Sequence, residues 1–293
     1  MEERKEKKDK RMKKVAVIGL GLIGGSLAVD IKREFGSSII GVDANLENAE
    51  KALELGFVDS ITTIDKLIDV DVVIIATPVD TISNIAAQIL DVVNDDALVF
   101  DVGSVKVEIC KTLAKHQKRK NFLAAHPIAG TEFSGPNAAI PNLFKGKVNI
   151  ICELEKTNRQ IANKAFDIFD KLGMEYKYMS PVEHDRHIAY VSHLSHVSSI
   201  MLGKTVLGIE KNEQNIFDMA GSGFESTVRL AKSSPNTWTP IFTQNKQNLL
   251  TALESYIKNL IEFKNLLKDN EVEEIYQIME ETNHLRKVLK GIK

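Results

Sequence analysis

The side chains best suited to chemistry in this 293-residue chain lie in a few short stretches. In Ala125-His-Pro-Ile-Ala-Gly-Thr-Glu132 a histidine ends an apolar run and is followed by Pro127 and a Gly-bearing loop. An imidazole in that position, with an ordinary pKa of about 6.5, is poorly suited to a core. It can accept a proton near neutral pH, as oxidation of an alcohol requires. Asp101-Val-Gly-Ser-Val-Lys106 also turns from an apolar run toward a helix, and Ser104 reads either as a helix cap or as a hydroxyl facing the same crevice. Further along, His184, His187, His193 and His196 surround Ser192. Ser192 and His196, four apart, share a helix face and can meet a substrate together. His184 and His193 are nine apart and point to nearly opposite sides of a straight helix, at about 100° per residue. With no HExxH pattern, no metal site is expected, and His184 and His187 read as polar helix residues satisfied by water. Arg229, in a helix expected after the Gly-rich Gly221-Ser-Gly turn, carries a planar guanidinium suited to a carboxylate, although a lone helix Arg also reads as a solvated charge. Trp238, the only Trp, is expected in the core.

These groups need a crevice, and the first turn of the chain supplies one. Val15-Ala-Val-Ile-Gly-Leu-Gly-Leu-Ile-Gly24 reads as a strand, a GxGxxG turn and a helix opening near Leu22 and Ile23. Gly19 permits the tight turn, Gly21 lets backbone N–H groups approach a pyrophosphate, and Gly24 allows close helix-to-strand packing. Asp43 follows Gly24 by 19 residues, close to the position of the acid that binds an adenine ribose. A carboxylate there repels a 2′-phosphate and Ala44-Asn45-Leu46 offers no Arg, so NAD is expected and not NADP. Thr77 and Pro78, where a later strand leaves the sheet, are expected beside the same cofactor.

The elements that hold these residues follow from hydropathy. Apolar runs at Val15 to Gly19, Ile39 to Asp43, Val72 to Thr77, Leu98 to Val102, Phe122 to Ala125 and Val148 to Cys152 alternate with amphipathic segments. Continuous apolar runs mean strands covered on both faces, so residues 14–180 read as a doubly wound α/β (Rossmann) domain with a parallel sheet. After Pro181 strand-like runs disappear, and residues 181–293 read as an all-helical substrate and dimerisation domain. Ile241, Leu249, Leu253, Ile257, Leu260 and Leu267 predict one long helix with a broad apolar face, which either packs within its own domain or buries against a second copy in a homodimer. Residues 1–13 read as a charged disordered tail: the first 14 residues hold eight Lys/Arg and four Asp/Glu, leaving 30 basic and 36 acidic residues for a mildly acidic body. That balance argues against nucleic acid. The longest apolar-rich stretch, Ile188 to Gly203, is 16 residues and short of a membrane span. With no signal-peptide pattern and only Cys110 and Cys152 present, a cytoplasmic protein is expected.

GLGLIGGS at the first turn, DVGSVK, HPIAGTEFSG, SHLSH and a late Arg together resemble the prephenate dehydrogenase family of tyrosine biosynthesis, over about residue 14 to at least 245. The resemblance implies oxidative decarboxylation of prephenate to 4-hydroxyphenylpyruvate with NAD+, in a homodimer. It further implies that His126 accepts the ring hydroxyl proton and that Ser104 orients that hydroxyl or His126. Ser192 and His196 would line the substrate pocket, Arg229 would pair with a substrate carboxylate, and Glu132 would lie at the pocket mouth. Ser195 and Glu225 depart from the family, which often has Pro and Arg there. The chain is expected to lack the chorismate mutase segment and regulatory domain of some relatives, so that any tyrosine feedback acts at the active site. Arogenate dehydrogenase is the nearest alternative. A β-hydroxyacid dehydrogenase would need a Lys acid/base, for which no motif marks Lys204 or Lys211, and a non-catalytic NAD-sensing module would leave the His126 cluster idle.

Overall fold

The computed structural model describes residues 12–210 and 216–289. The sheet is built from β1 (Lys14–Ile18), β2 (Ser38–Val42), β3 (Ser60–Ile61), β4 (Val72–Ile75), β5 (Leu98–Asp101), β6 (Phe122–Pro127), β7 (Val148–Cys152) and β8 (Glu175–Tyr178), in the order β3-β2-β1-β4-β5-β6-β7-β8. All neighbours are parallel except β6 and β7, which run antiparallel with His126 opposite Ile150. The two expected features that carry the fold, continuous apolar runs and intervening helices, have a direct cause in packing. Val15 and Val17 of β1 face one core while Ala16 and Ile18 face the other. On the first side lie α1 (Leu22–Phe35), α2 (Leu46–Glu54) and α5 (Arg159–Lys171), and on the second α3 (Val79–Val92) and α4 (Val107–Leu113). The edge strands β3 and β8 are largely exposed, lack an apolar run and leave no such signal in the sequence. Strand order reverses between β1 and β4, which opens a crevice beyond the carboxyl ends of those strands.

Of the expected tail, residues 1–11 lie outside the described residues. Met12 belongs to the body: its side chain is buried and its carbonyl accepts from Ser37 Oγ at 2.7 Å. Lys13 is likewise tied down, donating its backbone N–H to Asp71.

From Pro181 onward every described element is helical: α6 (Pro181–Ile188), a π turn (Ala189–His193), α7 (Leu194–Glu210), α8 (Ser222–Val228), α9 (Pro235–Gln244), α10 (Lys246–Asp269), α11 (Val272–Thr282) and α12 (Leu285–Leu289). Ser180 and Glu183 form a capping box that starts α6. The long helix expected through Ile241 and Leu267 is instead two. Asn245 leaves helical geometry between α9 and α10 and sends its side chain to the Asp185 carbonyl at 2.6 Å. Ile241 therefore packs in the core beside α3, while Ile257, Leu260, Ile261 and Leu267 of α10 are exposed in the single chain, as are Val272 and Met279 of α11. Among the described residues no helix is long and apolar enough to cross a membrane.

Candidate active site

The GxGxxG turn lies where β1 meets α1, at the strand-order reversal. Gly19 has φ +88°, and a Cβ on it would stand 2.6 Å from the Ala76 carbonyl oxygen. A Cβ on Gly24 would stand 1.9 Å from the Gly19 oxygen, so close helix-to-strand contact alone demands this glycine. Gly21 is different. Its Cβ would meet nothing nearer than the Gly135 nitrogen at 3.9 Å, so the chain leaves room there for a ligand to approach the backbone. No acidic side chain occupies the first turn of α1, where Leu22 and Ile23 present helix-terminal N–H groups to an anion. Asp43 follows β2 with both oxygens oriented, accepting from Leu20 N at 2.8 Å and Asn45 N at 2.9 Å. Thr77 is half-buried and accepts from Thr81 Oγ1 at 2.9 Å, and Pro78 caps α3. These groups fit a dinucleotide: an open phosphate cradle, a helix N-terminus and a fixed ribose acceptor.

His126 is buried near the end of β6, and its neighbours are what the sequence did not reveal. Its Nδ1 lies 2.8 Å from His184 Nε2, and His184 Nδ1 lies 2.7 Å from Asp185 Oδ1. The Asp185 carboxylate also accepts Lys106 N at 2.7 Å and Val107 N at 2.9 Å, so it caps the start of α4 from another element. Ser104 is not that cap, which removes one of its two readings; its hydroxyl has no partner among the described residues. Behind His126, the buried Lys106 ammonium contacts Asp101 and donates to the Ala125 carbonyl at 2.8 Å. Burial pushes the His126 pKa well below its ordinary value, and the positive charge that Lys106 carries, or that His184 would carry if protonated, acts in the same direction. Its Nε2 has no partner among the described residues and is not enclosed. The expectation that water satisfies His184 is thus wrong: the ring is 1% exposed and fully engaged. His187 is exposed as expected.

The π turn explains how His184 and His193 come together. A π turn takes up one residue more than an α turn, so at about 100° per residue the two side chains lie about 80° apart instead of about 180°. The same shift brings His196 to within about 20° of His184, where an unbroken helix would leave about 120°. His196 Nδ1 donates to the Ser192 carbonyl at 3.0 Å, and its ring stacks on Trp238 at 3.3 Å between centroids. Trp238 is therefore half-buried against a candidate site residue, beyond the core role expected of it. His193 Nδ1 faces Asn245 Nδ2 at 3.2 Å while its Nε2 is enclosed and unpartnered, and burial lowers its pKa to about 4. Arg229 follows α8 and heads a short 3-10 turn, where a helix interior was expected. Its guanidinium, half-exposed, donates to Glu132 Oε2 at 2.9 Å, joining the helical part of the chain to the loop that follows β6. That loop is pinned to α1, because Ser26 Oγ accepts from Ile140 N and Asp30 accepts from Asn142 N.

The family described as prephenate dehydrogenase, nucleotide-binding domain, matches residues 27–178, and prephenate dehydrogenase, dimerization domain, matches residues 180–281. Cyclohexadienyl dehydrogenase of Zymomonas mobilis is 30% identical over 284 residues, covering 95% of this chain and 96% of its own. Prephenate dehydrogenase of Bacillus subtilis is 30% identical over 268 residues, covering 90% and 72%. The crystal structure of prephenate dehydrogenase from Aquifex aeolicus, in complex with hydroxyphenyl propionate and NAD+, superposes with TM-score 0.88 at 35% identity, covering 96% of this chain and all of that one. Synechocystis arogenate dehydrogenase gives TM-score 0.75 at 30% identity, covering 94% and 99%.

Proposed function

The chain belongs to the prephenate dehydrogenase family, and from that membership we propose that it converts prephenate to 4-hydroxyphenylpyruvate with NAD+. It is an NAD-dependent oxidoreductase that works as a homodimer, a state consistent with the apolar side chains exposed on α10 and α11. The observation that carries the reading of a ring-hydroxyl oxidation is the unpartnered Nε2 of His126, oriented from behind by the His184–Asp185 pair. NAD+ bound at the glycine turn supplies the hydride acceptor. His126 Nε2 takes the ring hydroxyl proton as positive character develops at C4, and Ser104 orients that hydroxyl. Arg229 pairs with a substrate carboxylate, Glu132 sits at the mouth, and Ser192 and His196 line the pocket together with Trp238. Hydride leaves C4, CO2 leaves C1, and the ring becomes aromatic. The oxygen keeps its hydrogen in the phenol, so the base must return the proton it took.

On this reading Gly19, Gly21, Leu22, Ile23, Gly24, Asp43, Thr77 and Pro78 hold the dinucleotide, residues 14–180 form its domain, and residues 181–293 form the substrate and dimerisation domain. A cytoplasmic location belongs to the same reading and is supported by the two buried free thiols, Cys110 and Cys152. The test is NADH formation from NAD+ with prephenate and, side by side, with arogenate, whose amino group replaces the keto group. A higher kcat/KM on arogenate overturns the choice of prephenate. Turnover of neither substrate overturns the whole reading.

A further inference from the structure

His126, His184 and Asp185 form a chain whose proton positions follow from counting acceptors. Asp185 Oδ1 already accepts from Lys106 N at 2.7 Å, and the carboxylate can only accept, so His184 must carry its hydrogen on Nδ1. Burial lowers the His184 pKa and keeps the ring neutral, which leaves its Nε2 bare. His126 then donates Nδ1–H to that nitrogen and presents a bare Nε2 at its other end. A reversed chain would put a hydrogen on His126 Nε2 and leave no base there.

A cation is poorly accommodated on His126, because the ring is buried, the Lys106 ammonium binds the adjacent Ala125 carbonyl, and His193 lies nearby. His184 has what His126 lacks, a carboxylate in direct contact that two backbone N–H groups hold in place. The charged and titratable groups facing His184 are Asp185 on its own helix, Lys106 and Asp101 from the segment after β5, His126 from β6 and His193 from the π turn. Lys106 is offset by its contact with Asp101.

We propose that His184 and Asp185 are a closed proton store for His126. As the substrate O–H bond breaks, a bond forms from that hydrogen to His126 Nε2. The His126 Nδ1–H bond breaks, and its hydrogen bonds to His184 Nε2. His126 stays neutral as the other tautomer, and His184 becomes an imidazolium paired with Asp185. When CO2 leaves and electrons return to the ring oxygen, both hydrogens move back and the phenol forms. The store needs no exit: His184 is 1% and Asp185 2% exposed, and the reaction proposed above releases no net proton. The inference rests on that reading for the identity of the donor hydroxyl. His184 acts through His126 and is a positioning residue, with a proton-holding role that can be separated from positioning.

The test is His184→Gln, whose amide oxygen can stand where Nε2 stands and accept from His126 Nδ1–H but cannot take the proton. Wild-type turnover of prephenate and arogenate is measured first, so failure of the substrate reading is seen separately. Single-turnover rates in H2O/D2O mixtures should give a bowed, two-proton dependence for the wild type. In the variant they should become linear, with kcat lowered roughly 10²-fold, the low end for a positioned acid/base, and KM for both substrates within about threefold. A variant with unchanged kcat, a lowered kcat with the bowed dependence intact, or a linear wild-type dependence each overturns the store. Should His184→Gln fail to fold, nitrogen NMR of labelled histidines in the wild type decides. Hydrogens on Nδ1 of both His126 and His184 support the chain, and a hydrogen on His184 Nε2 in the resting enzyme overturns it.

Discussion

Lowering the pH should destabilise this protein well before its carboxylates titrate, and His193 sets the scale. In the unfolded chain this histidine has a pKa of about 6.5. In the folded chain burial holds it at about 4, with Asp185 pulling the other way and His184 and His196 adding smaller contributions to the depression. Because the folded value is the lower one, the unfolded state binds the proton first. Stability is therefore undiminished above about pH 6.5, falls as pH drops from 6.5 toward 4, and loses nothing more from this group below that. At pH 5 the unfolded chain gains about 2 kcal/mol from protonation at this one site, while the folded protein gains about 0.1 kcal/mol. The net loss of about 2 kcal/mol relative to pH 7.5 corresponds to a fall in Tm of several degrees for a chain of this size. His126 and His184 are depressed for the same first reason, burial, and act in the same direction. Asp30, whose burial raises its carboxyl, works in the opposite sense. Comparing the wild type with His193→Asn cancels these other groups, since Asn Oδ1 can still accept from Asn245. The assay is equilibrium unfolding of both proteins at pH 7.5 and pH 5. The variant should lose about 2 kcal/mol less than the wild type over that interval. Equal losses in the two proteins would refute the argument that the enclosed, unpartnered Nε2 of His193 resists protonation.

Other outcomes follow from the site. His126→Ala should lower kcat roughly 10²- to 10⁴-fold with NAD+ affinity nearly intact, as isothermal titration and steady-state rates would measure. In the wild type, the acid limb of kcat/KM should fall below pH 6.5, because protonation of the depressed His126 removes the base only there. Asp43→Ala should weaken discrimination against NADP, measured as the ratio of kcat/KM for the two cofactors, as the proposed repulsion of a 2′-phosphate by its oriented carboxylate requires. Arg229→Ala should mainly raise the substrate KM, and unchanged KM would leave the residue a surface partner of Glu132.

How much was legible in the chain itself differs from element to element. The glycine turn was readable because each glycine answers a local demand: a positive φ at Gly19, a backbone contact at Gly24, an open approach at Gly21. The doubly wound sheet was readable because strands with two buried faces must be apolar throughout, and the exposed edges β3 and β8 escaped notice for the same reason. The helix break at Asn245 was not readable, since apolar spacing continues across it and the side chain's bond to the Asp185 carbonyl is a tertiary contact.

His126 itself was marked by the sequence, because a histidine at the end of an apolar strand has few structural uses. Its support was not. His184 and Asp185 look like solvated helix residues in a count of one hundred degrees per position. They become the buried partners of His126 because α6 packs against the start of α4 and the π turn resets the phase of the helix that follows. Residue types and local spacing decide which chemistry the chain can attempt. Tertiary packing alone excludes water from those residues and brings together nitrogens 58 positions apart to within 2.8 Å, which makes the chemistry feasible.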